Sequence, residues 1–98
     1  MKTIWKYPLE IEDQQEITVP YGAKILSVIE QNNQPVLYAL VNSESARLMD
    51  MISILIRGTG HPIEERDLLG HDFVGTISTY DGRLIWHIFV EKGAKCRK

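Results

Sequence analysis

Apolar and polar residues alternate along much of the chain with a period of two. This pattern predicts strands, each with one face on a core and the other toward solvent. Trp5, Tyr7, Leu9 and Ile11 share one side of a first strand, with Lys6, Pro8 and Glu10 on the other. Proline has no N–H to donate, which places this strand at a sheet edge. "EDQQ" reads as a turn and "EITVP" as a short return strand carrying Ile17 and Val19. After a bend at Gly22, "AKILSVIEQ" fits a strand. Ile25, Leu26 and Ile29 also fit two turns of helix, but the hairpin-type "NNQP" that follows favours the strand.

"VLYALVN" is a strongly apolar strand, and the polar loop "NSESAR" follows it. The longest apolar run, "LMDMISILIRG", puts Ile52, Ile54 and Ile56 on one face and Met51, Ser53 and Leu55 on the other. Apolar on both faces, it predicts a central strand covered on both sides. "DFVGTISTY" is a further strand, and its Gly75 predicts a bulge or a close backbone approach. Asp81-Gly82 is the strongest hairpin signal and leads into "RLIWHIFVE". A short helical turn fits "IEERDLL", with Ile63 and Leu68 or Leu69 packing on the sheet.

About seven short strands and no long amphipathic helix predict an all-β domain. The architecture is a small antiparallel sandwich or a partly closed barrel. The expected boundaries are a single β-rich domain over 1–91 and a flexible basic tail over 92–98.

Composition narrows the class. Ninety-eight residues, 44% apolar and 24% charged, suit one globular domain. Eleven basic against 13 acidic residues give a net charge of −2, so no overall positive field draws nucleic acid or an anionic membrane. The lone Cys96 cannot close an intrachain disulfide, and no apolar stretch approaches the ~20 residues of a membrane span. These features predict a cytoplasmic protein.

The candidate chemistry gathers at "IRGTGHPIEERDLLGH". Gly58, Thr59 and Gly60 suit a turn whose N–H groups can meet an anion, and His61 adds a donor or base beside it. Arg57 and Arg66 stand close by in sequence, and His87 lies at a core or pocket edge. No nucleotide-binding fingerprint is matched, and "GTGH" also reads as a plain strand-ending turn. His61, His71 and His87 lack the local spacing of metal ligands, so no metal or other cofactor is expected. No nucleophile–base pattern is visible, and no catalytic residue is expected. Trp5, Tyr7, Tyr38 and Trp86 could stack on a base, or serve as core and interface residues.

The order "WKYPLEI…DQQEITVPYGAKILSV…PVLYALV…IRGTGHPI…FVGTI…GRLIWHIF" resembles an uncharacterised family of small phage and prophage proteins. The resemblance runs from Trp5 to Phe89 and rests on the Lys-Tyr-Pro opening, the Pro-x-Gly-Ala turn, "GTGH" and "WHIF". It implies a phage origin and a β-rich domain acting in the host cytoplasm as an accessory protein. The function expected first is binding of a small phosphorylated or nucleotide-like ligand by Arg57, Gly58, Thr59, Gly60, His61, Arg66 and His87. Such a homo-oligomer would sequester a host defence signal in a pocket between subunits. The alternative is a protein-binding inhibitor of a host protein with no small ligand, using an exposed sheet edge or apolar patch.

Overall fold

The computed structural model describes residues 1–94. The chain runs through β1 (Lys2–Pro8), β2 (Gln14–Pro20), β3 (Lys24–Gln31), β4 (Gln34–Asn42), a 3₁₀ turn (Ser43–Ser45) and β5 (Met49–Gly58). It ends with α1 (Glu65–Gly70), β6 (His71–Thr79) and β7 (Leu84–Glu91). Two antiparallel sheets form, one in the order β1-β4-β3 and one in the order β2-β5-β7-β6. The result is the expected all-β sandwich with one short helix, and the sheets do not close into a barrel.

Local chemistry explains most elements. Residues 24–31 are strand, because Asn32 and Asn33 take left-handed φ angles of 52° and 62° and turn β3 tightly into β4. The β6–β7 loop repeats the device, with Asp81 at φ 57° and Gly82 at φ 83°. The Tyr80 N–H in that loop donates to Asn33 Oδ1 at 2.7 Å, so the two hairpin tips are tied together across the sheets. Gly75 fulfils both expectations for it. The β6–β7 register shifts between Phe73 and Gly75, and a Cβ on Gly75 would come within 3.0 Å of Val28 Cγ1 on β3.

The core lies between the sheets. Ile25, Leu37, Ala39 and Val41 face Ile52, Ile54, Ile56, Ile88 and Val90, all buried. Burying branched aliphatics from both inner faces is what stabilises a sandwich of this size.

Several expectations need correction. The first strand ends at Pro8, not Ile11, and Leu9 is a buried plug rather than a strand residue. Its N–H donates to the Pro35 carbonyl and its own carbonyl accepts from Gln34 Nε2, which pulls the chain off β1. As a result β2 is not a return strand. It begins at Gln14, crosses to the other sheet and pairs with β5.

The outer side of β5 is covered unevenly, since Leu55 is buried while Met51 is exposed. In α1, Leu68 and Leu69 are exposed and only the preceding Ile63 is half-buried. Residues 92–94 follow β7 and pack on the body. The Lys92 N–H donates to the Gly70 carbonyl, the Ala94 carbonyl accepts from Ile25 N–H, and Ala94 is fully buried. The rest of the expected tail, with Cys96, lies outside the described residues.

Candidate functional site

At the end of β5 the chain must leave the sheet, and Gly58 to His61 make the turn. The His61 N–H donates to the Gly58 carbonyl at 3.0 Å, and Gly60 takes a φ of +89°, which glycine adopts at no steric cost. The turn folds the His61 ring over Gly58. A Cβ there would lie 2.8 Å from His61 Cε1 and 3.4 Å from a Trp86 ring carbon. Glycine at 58 therefore lets the imidazole and the indole approach one backbone position.

A cleft of about 210 Å³ opens at this end of the sandwich, lined by Gly58, Thr59, His61, Arg83, Leu84, Ile85 and Trp86. Gly58 and Trp86 are direct cross-strand partners. Trp86 Nε1–H donates to Thr79 Oγ1 at 3.1 Å, so the indole's polar group is satisfied inside and its ring walls the cleft. Arg83 is exposed and makes no ion pair among the described residues. The walls thus combine a free guanidinium and an imidazole with an indole and two aliphatic side chains. The turn uses the His61 N–H internally, which leaves at most the Thr59 and Gly60 N–H groups to meet an anion.

The other anticipated residues lie elsewhere. Arg57 points to the opposite face of β5, where its guanidinium reaches Asp67 Oδ2 at 3.5 Å and donates to the Asp13 and Ile56 carbonyls. His87 is the cross-strand partner of Arg57 on that same face. Its Nε2 lies 2.7 Å from Thr59 Oγ1 and its Nδ1 2.9 Å from Thr76 Oγ1, so both ring nitrogens are occupied. Thr59 therefore lines the cleft while its hydroxyl is taken up by His87. Arg66 lies on exposed α1 and pairs with Glu64 at 3.1 Å.

The three histidines do not converge. His71 holds the start of β6 through Asp67 O at 2.9 Å and Ser53 Oγ at 3.0 Å. A carbonyl can only accept, so Nδ1 carries the proton toward Asp67. No group of three or more His, Cys, Asp or Glu among the described residues could hold a metal ion. The four aromatics do not form one platform either. Trp5 and Tyr7 face the interior side of β1 opposite Ala39 and Leu37, Tyr38 faces outward, and Trp86 belongs to the other sheet. The sequence reading missed Arg83, Leu84 and Ile85. Their one signal is position, directly after the Asp81-Gly82 turn and one to three residues before Trp86.

A family model described as a domain of unknown function (DUF7352) matches residues 1–97, and the chain belongs to that family. No curated protein and no solved structure matches it. No helix among the described residues is long and apolar enough to cross a membrane.

Proposed function

We propose that the cleft binds a small phosphorylated, nucleotide-like ligand, holding it rather than transforming it. The observation that carries this reading is that Arg83, which makes no ion pair among the described residues, and Trp86 line one concavity. Arg83 and His61 meet the phosphate by charge-assisted hydrogen bonds, and the base lies against Trp86, Leu84 and Ile85. Arg83 takes the place that the sequence suggested for Arg57 and Arg66.

The volume of about 210 Å³ is below the roughly 300–1,000 Å³ of complete small-molecule sites. One copy therefore accommodates one end of such a ligand, and a second copy encloses the rest. The phage origin implied by the Lys-Tyr-Pro opening and the Gly-Thr-Gly-His element makes a host defence nucleotide the ligand to test first. Sequestering that signal is the accessory role this reading assigns.

Isothermal titration of the full chain with nucleoside monophosphates and cyclic dinucleotides tests the proposal. Arg83→Ala removes a charged hydrogen-bond donor and should weaken binding about tenfold or more. Gly58→Ala should displace the His61 ring and change affinity while the fold persists. Equal affinity in the parent and Arg83→Ala, or no binding by any of these nucleotides, overturns the reading.

A further inference from the structure

The outward face of the β1-β4-β3 sheet is built from positions turned away from the space between the sheets, of which Val36 alone is buried. Register sets Lys2, Ile4, Lys6 and Pro8 of β1 beside Asn42, Leu40, Tyr38 and Val36 of β4. Across β4, Lys24 stands beside Leu40, Ser27 beside Tyr38 and Ile29 beside Val36. Ile4, Ile29 and the bulged Leu26 are exposed. The one helix follows β5 and packs with β6 in the other sheet, so this face carries no covering element among the described residues.

The face also runs against the charge of the whole molecule. The chain carries −2, yet these outward positions hold three lysines and no aspartate or glutamate. Lys2, Lys6 and Lys24 make no ion pair among the described residues. Strand geometry separates Lys2 from Lys6 by about 14 Å and sets Lys24 about 10 Å across the sheet. Three free cations thus surround Ile4, Leu40 and Tyr38, an apolar centre with a charged rim as in protein interfaces.

We propose that this face docks against a protein surface bearing a cluster of carboxylates around a small apolar centre. It is independent of the cleft. A second copy is a poor occupant, because a two-fold contact would set lysine against lysine. Single-stranded nucleic acid needs stacking rings. Tyr38 is the face's one aromatic, half-buried with its hydroxyl 3.0 Å from Gln31 Oε1. An anionic bilayer would gain only about 1 kcal/mol per lysine, with no aromatic collar to anchor the sheet. Three strands of this length span about 15 by 25 Å, well short of the roughly 800 Å² per partner of a standard interface. The association is therefore fast, weak and salt-sensitive.

The test is an NMR titration of the isotope-labelled full chain with a synthetic Asp/Glu-rich peptide containing interspersed leucines. Saturable shifts should centre on Lys2, Ile4, Lys6, Lys24 and Leu40 and fade with added salt. The double variant Lys6→Glu with Lys24→Glu, at exposed positions that leave the fold intact, should lower the affinity about tenfold or more. Phosphatidylserine vesicles and oligothymidine are titrated in parallel. Peptide shifts that fall elsewhere, or that survive the double reversal, overturn the proposal. So does equal or tighter binding of vesicles or oligothymidine at these residues.

Discussion

The outward faces of the two sheets differ in how their polar groups are used. On the β2-β5-β7-β6 sheet nearly every conspicuous group has a partner. His87 sits between two threonine hydroxyls, His71 between Asp67 and Ser53, and Arg57 between Asp67 and Asp13. The Glu91 carboxylate accepts from Ser53 N–H. On the β1-β4-β3 sheet Lys2, Lys6 and Lys24 make no ion pair among the described residues, and Ile4, Leu26 and Ile29 are exposed. Histidine and arginine attract attention in a sequence, yet here most of them hold the fold. The groups left free to meet a partner are plain lysines and an arginine beside a turn.

The sharpest test compares one aliphatic from each face. Leu55, on the outer side of β5, is 1% exposed, whereas Ile4 is 57% exposed. Leu55→Ala should cost about 2–5 kcal/mol, and Ile4→Ala no more than about 0.5 kcal/mol, by urea denaturation. Comparable losses would erase the distinction between the faces.

A smaller contrast comes from the cations. The Arg57 side chain is 15% exposed and Arg57→Ala strands Asp67, so a loss of about 1.5–3 kcal/mol is expected. Lys6→Ala should fall within about 0.5 kcal/mol. Thermal melts of both variants read the difference, and a neutral Arg57→Ala would show that its contacts are not structural.

The smallest effect lies beneath the lysine face. Burial raises the Tyr7 phenol above its ordinary 10.0. The folded chain then holds this proton more tightly than the unfolded one. Its contribution is whole below about pH 10 and is lost as the pH climbs through the folded value. Tyr7→Phe keeps the ring and removes the titration, so the alkaline limb of a stability–pH profile should move upward. Superimposable limbs would remove Tyr7 from the account.

Strand identity was legible because each strand's alternation is a local property. The turns were legible because Asn32-Asn33 and Asp81-Gly82 supply left-handed backbone from their own chemistry. Pairing was not. Trp5 through Ile11 alternate without a break, and only the tertiary contacts of Leu9 with Pro35 and Gln34 end the strand at Pro8. The site was half legible. Gly58, Thr59 and His61 line the cleft, but the partners that occupy Arg57 and His87 come from distant segments, Asp13, Asp67 and Thr76. Arg83 carries no motif at all. It becomes a candidate only when Gly58 and Trp86 pair across the sheet.

The short run from Lys92 to Ala94 also bears on handling the protein. It reaches β6 through Asp72, whose carboxylate meets Lys92 Nζ at 3.5 Å and accepts from Gly93 N–H. It reaches β3 through the Ile25 N–H to Ala94 carbonyl bond. One short segment therefore bastes the rims of both sheets together on the side where Val28 meets Gly75. A purification tag or reporter fused in place of these residues would unpick that seam, so any fusion junction belongs beyond Ala94.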